Sequence, residues 1–310
     1  MSTIQARMPA AQARMPAAAS EPPRAVTCHR GPTVPRLMLG SRLQRLRVAA
    51  GISTDLAGDA IRASRSKISR MENGRVGLKV RDVSDLLDLY GITDEQERAG
   101  MLALARESGG HGWWSGFDDV MDDWLQEYIG LEAAASLIRT FKLQFVHGLL
   151  QTEAYARAVT LLGYPNAHPV EIDRRVDLRL RRQERFADGR LPRVWSVIDE
   201  GALRRPLGGA AVMRGQLQRL IELAERREVT IQVMPFARGA HAAVGGAFTL
   251  MRFAEPDVPD LVYLEHLTGA QCLDKRADID RYAEAMNKLN VSALPPEATR
   301  DFLARILHET

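Results

Sequence analysis

From residue 37 the chain places apolar residues at a helical period. Leu39, Leu43, Leu46 and Ala50 recur every three or four positions, forming one face of an amphipathic helix that Gly51 stops. The pattern then predicts a short helix over 53–60, a turn over 61–63, and a third helix over 65–72 ending at Asn73-Gly74. Asp82 opens a fourth helix with the stripe Val83, Leu86, Leu87 and Tyr90, closed by Gly91. Thr93 and Gln96 have capping-box spacing for a fifth helix, whose buried face is Met101, Leu102 and Ala105. Gly109-Gly110 marks a boundary.

Beyond it, Trp113-Trp114 opens a region of mixed texture. Helices are predicted near 118–128, 152–162, 169–187, 209–226, 276–290 and 296–308. Strand-like alternation falls at 137–146, 193–199, 229–234, 247–253 and 260–265. The expected architecture is a mainly α, five-helix N-terminal domain over 36–108, and an α+β domain with a small mixed sheet over 112–310. Residues 1–35 read as a disordered, functionless tail. They hold the tandem copy QARMPAA at 5–11 and 12–18, then four prolines, and Met8, Met15 or Met38 is an alternative start.

Composition changes this picture little. The chain has 310 residues, 45% hydrophobic and 26% charged, which suits two globular domains. No run reaches the ~18 apolar residues of a membrane helix. Cys28 and Cys272 match no metal spacing, so free thiols in a reducing cytoplasm are expected. The net charge of +3 is uninformative, but its distribution is not. Seven basic residues lie between Arg62 and Arg81 against one acid, Glu72, and six acids without a base follow from Asp82 to Glu97. A basic block beside an acidic one suits a nucleic-acid face backed by a solvated face.

The chemistry concentrates in GISTDLAGDAIRASRSKISRMENG, residues 51–74. Ile52, Ala57, Ile61, Ile68 and Met71 share one core, and Ser64 is suited to cap the third helix. With Ile68 and Met71 inward, that helix turns Arg65, Ser66, Ser69 and Arg70 outward, with Lys67 at the margin. Arginine can donate two parallel bonds to guanine, and serine can bond base edges or phosphate. This stretch, preceded by RLQRLRVAAGIS, resembles the lambda-repressor-like (XRE-type) helix-turn-helix family. The resemblance implies a third helix in the major groove, with Arg65, Ser66 and Arg70 facing bases and Ser69 and Lys67 as secondary contacts. It implies backbone contacts from Thr54, Asn73, Arg75 and Lys79, and a structural ion pair between Arg47 and Glu72. Arg62 departs from the family, which favours glycine in that turn, and Ala57-Gly58 shifts the usual Leu-Ala pair.

The second domain is similar, through GWW at 112–114, FVHGLLQTEAYARAV at 145–159, RRVDLRLRRQERF at 174–186 and VYLEHLTGA at 262–270, to an actinobacterial regulator family. In that family a helix-turn-helix precedes a domain described as toxin–antitoxin-like, and His147 stands where proline is usual. The resemblance implies a small acidic partner protein. A nucleoid-associated, cytoplasmic homodimer on a near-palindromic operator is the expected working form. A small-molecule sensor and an antitoxin-like interaction module are the rival readings.

No enzymatic role, metal or cofactor is expected. Asp199-Glu200 reads as a helix cap, and His241, His266 and Cys272 lack zinc spacing. No G-x-S-x-G elbow or phosphate loop occurs. Trp113 and Trp114 read as an interdomain anchor, and the arginine run 174–190 as a solvated helix face. The Gly-rich loop ARGAHAAVGGAF, 237–248, reads equally as a ligand-approach segment or a surface loop.

Overall fold

The computed structural model describes residues 34–74, 76–109, 112–187, 192–256 and 258–310. The tail through residue 33, with Cys28, lies outside the described residues.

Five helices come first: α1 (Val34–Ala49), α2 (Thr54–Ala60), α3 (Arg65–Glu72), α4 (Val80–Leu89) and α5 (Glu95–Ser108). Their core joins Leu39 and Leu43 of α1 to Ala57, Ile68, Met71, Val83, Leu86, Leu87 and Met101. These are the predicted stripes. Two helix starts differ from expectation. The cap of α5 is Asp94, whose carboxylate accepts from Glu97 N–H at 2.6 Å, one residue beyond the predicted Thr93–Gln96 box. Helix α4 begins at Val80, which puts Asp82 inside its first turn, where a carboxylate favours the positive end of the helix dipole.

The second region contains α6 (Asp123–Ala134), β1 (Ala135–Lys142), α7 (Glu153–Gly163), α8 (Pro169–Ala187), β2 (Arg193–Asp199), α9 (Glu200–Arg204), α10 (Ala210–Leu223) and β3 (Val229–Met234). Then come β4 (Phe248–Phe253), β5 (Leu261–His266), β6 (Gly269–Leu273), α11 (Arg276–Ser292) and α12 (Pro296–Glu309). It is an α+β domain around one six-stranded mixed sheet in the order β3-β2-β1-β4-β5-β6. Strands β1, β2 and β3 are parallel, and β4, β5 and β6 alternate antiparallel.

Because strand side chains alternate, Ile138, Val194, Ile198, Ile231, Met251 and Leu261 enter one core beneath α6, α7, α10 and α12. Phe141, Val197, Phe248, Leu250 and Val262 enter the other, beneath α11. Helix α6 lies five to six residues beyond its predicted place, and β6 is a sixth strand the pattern did not indicate.

The regions are not independent. Leu37 of α1 is buried in the larger core of the second region, and Met38, Trp113 and Trp114 pack on the margin of that core. The two indoles meet edge to face at 5.8 Å. Arg36 donates to Ser108 O at 2.9 Å, which ties the start of α1 to the end of α5.

Candidate nucleic-acid interface

Helix α3 is built from its cap outward. Ser64 Oγ accepts from Lys67 N–H at 3.2 Å, supplying a partner for one of the helix's orphan donors. Ile68 and Met71 are each 1% exposed, so the opposite face must meet solvent. There the structure places Arg65, Ser66, Ser69 and Arg70, all exposed. Neither the second region nor any other described segment covers them.

Lys67 behaves differently. Its ammonium lies 3.5 Å from Asp82 on α4 and the side chain is only partly exposed, so it is drawn off the reading face. Arg65 has a companion that the sequence did not reveal: Asp55 on α2, 3.9 Å away, with both side chains largely in solvent. The turn folds the start of α2 toward the start of α3, a proximity that ten residues of separation conceal.

Helix α2 is capped by Ser53, whose hydroxyl accepts from Leu56 N–H at 3.2 Å. Thr54, its first residue, is half-buried, while Asn73 and Lys79 are exposed on the loop flanking α3. Arg75 lies outside the described residues. The α2–α3 turn is tight. A Cβ on Gly58 would sit 2.5 Å from Ala63 O, so the shifted Ala57-Gly58 pair serves close approach. Arg62 holds a left-handed backbone at φ 54°, the conformation for which the turn position favours glycine.

The predicted pair is present. Arg47 donates to both oxygens of Glu72, at 2.6 and 2.9 Å, and also to Ile52 O at 2.8 Å. The hydrogen bond to Glu72 raises the arginine pKa.

Residues 38–100 match the family described as a helix-turn-helix domain, which supports a DNA-binding regulator. Residues 125–305 match the family described as "Domain of unknown function (DUF5753)". The chain belongs to that family. No curated protein and no solved structure matches it.

Within the DUF5753 domain, Asp199, Glu200 and His241 make contacts that shape the local fold. Asp199 caps α9 by accepting from Gly201 N–H, and Glu200 bonds Arg204 and Phe236 N–H. His241 packs against Phe141 and accepts from Ala243 N–H, folding the Gly-rich loop onto the core through Ala243. Among the described residues no three His, Cys, Asp or Glu side chains group as metal ligands, and no helix is long and apolar enough to cross a membrane.

The arginine run departs from its prediction as a solvated face. Arg182 is buried and makes two 2.8 Å bonds to Glu132 of α6, and Arg179 turns inward to Gln151. A cleft of about 540 Å³ separates the helix-turn-helix domain from the DUF5753 sheet. Leu37, Glu72 and Asn73 line one wall, and Leu261, Cys272 and Lys275 the other.

Proposed function

We propose that this protein is an XRE-type, lambda-repressor-like transcription regulator that binds a near-palindromic operator as a cytoplasmic, nucleoid-associated homodimer. The carrying observation is the exposed row Arg65, Ser66, Ser69 and Arg70, backed by the buried Ile68 and Met71. Arg65 and Arg70 read guanine edges, the serines adjust to base or phosphate, and Thr54, Asn73, Arg75 and Lys79 hold the backbone. Lys67 contributes charge from the margin. One helix spans few base pairs, so two copies set about 34 Å apart supply useful specificity.

Regulation enters through the DUF5753 domain, which is not catalytic. The resemblance to an actinobacterial, toxin–antitoxin-like domain supports a small acidic protein as the input. The interdomain cleft supports a route to the DNA face, since its wall includes Glu72 and Asn73 at the end of α3. A gel-shift titration on an operator selected from random DNA, at fixed salt, tests the reading. Arg65→Ala with Arg70→Ala loses specific binding while the melting temperature stays unchanged. Equal binding by wild type and double variant overturns it.

A further inference from the structure

Asp55 stands in the first turn of α2, and its Oδ2 lies 3.9 Å from Nη1 of Arg65, the first residue of α3. Both backbones are fixed. Ser53 caps α2 by accepting from Leu56 N–H, and Ser64 caps α3 by accepting from Lys67 N–H. The close approach of Gly58 to Ala63 O holds the turn between them. Among the described residues neither side chain has another ion-pair partner.

Folding does not account for this pair. Arg65 is 74% exposed and Asp55 66%, so water screens their attraction, and an exposed pair adds little stability. Affinity does not account for Asp55 either. The helix before the reading helix lies across the sugar-phosphate backbone, where a carboxylate is repelled whatever the sequence. Arg65, however, has two destinations on DNA. A phosphate takes it without regard to sequence, while the O6 and N7 edge of guanine takes it through two parallel bonds. A carboxylate beside the guanidinium biases that choice. It repels the phosphates that compete for Arg65, and by pairing at Nη1 it leaves Nε and Nη2 to form the fork. Arg70, exposed on the same face, has no carboxylate within ion-pairing distance among the described residues.

We infer that Asp55 is a positioning residue that sets specificity: it directs Arg65 to a guanine edge, lowering affinity for every sequence while raising discrimination at one base pair. The inference rests on α3 being the reading helix, and it separates the two arginines of that helix. Arg65 is oriented by a neighbour, and Arg70 is oriented by the DNA alone.

Gel-shift titrations of the full chain test this at fixed salt, on the selected operator, its single base-pair variants and a scrambled duplex. Arg65→Ala and Arg70→Ala first mark the base pair that each arginine reads. Asp55→Asn keeps the shape and removes the charge, so it binds the scrambled duplex more tightly than wild type. It loses about fivefold or more of the discrimination at the Arg65 base pair and keeps that at the Arg70 base pair. Asp55→Glu, which keeps the charge, retains most of the discrimination at the Arg65 base pair. In an Arg65→Ala background, Asp55→Asn changes no base preference, because the coupling runs through that one side chain. Wild-type discrimination by Asp55→Asn at the Arg65 base pair overturns the inference and leaves the reading of α3 intact. Equal losses at both base pairs overturn it too, since they mark a shift of the whole helix. A wild type that binds operator and scrambled duplex alike overturns the inference together with the reading beneath it.

Discussion

Arg47 and Glu72 lock the first helix to the last residue of the third, with side chains only 11% and 5% exposed. The α1–α3 crossing is close enough that a Cβ on Gly40 would sit 2.5 Å from the carbonyls of Met71 and Glu72. The pair therefore sets the angle at which α3 is presented, and its energetics are asymmetric. Removing one partner strands a buried charge, whereas replacing both removes two desolvation penalties. Glu72→Ala is expected to cost about 3–5 kcal/mol in urea unfolding, and the double change Arg47→Met with Glu72→Leu much less. A single variant as stable as wild type would show the pair is not holding the helices.

The α2–α3 turn stores strain in Arg62. A non-glycine residue in the left-handed region costs of order 1–3 kcal/mol, and Arg62 is the sole such residue among those described. Arg62→Gly is expected to stabilise the protein by about 1 kcal/mol, since part of the relief is lost to the greater freedom of glycine in the unfolded chain. Thermal melting checks the sign. A lower Tm would mean that the exposed guanidinium contributes more than its backbone costs.

On DNA, Lys67 and Arg70 separate by geometry although both are cations of one short helix. Arg70 is exposed with its donors free for a base edge, whereas Lys67 is held 3.5 Å from Asp82. Arg70→Ala is expected to lose about 1–3 kcal/mol of discrimination at one base position. Lys67→Ala is expected to weaken all sequences alike and lower the salt slope of log K by at most about 1. Titrations of operator and scrambled duplex at three salt concentrations distinguish the two, and a base-specific loss in Lys67→Ala contradicts this division.

These contrasts show what the sequence carries. The recognition unit was legible because its determinants are local: Ser64 caps within three residues, and Ile68 and Met71 fix a face by spacing alone. Helix α6 was misplaced because Ile129, Gly130, Leu131 and the paired Glu132 are all buried, so no polar side marks its period. Strand β6, GAQCL, lacks the alternation and β-branched residues that announce a strand, and owes its place to pairing with β5. The arginines of α8 look solvated in the sequence because charge does not report direction. The partner that buries Arg182 lies 50 residues earlier. Long-range pairing, in each case, decided what local pattern left open.

His147 yields a pH dependence. Its pKa is held well below 6.5, first by burial and then by the charges of Lys142, Arg182 and Arg179. Above pH 6.5 the imidazole is neutral folded and unfolded, and contributes no slope. As pH falls below that value the unfolded chain takes up a proton that the folded protein refuses, so stability declines by up to about 1.4 kcal/mol per pH unit until the folded pKa is reached. His147→Gln, which keeps polar atoms near Tyr128, removes this proton uptake. Urea midpoints between pH 7.5 and 5 should therefore fall less steeply in the variant than in wild type. Parallel slopes would require that the folded ring takes up its proton as readily as the unfolded one, against three neighbouring cations and a backbone N–H aimed at Nδ1.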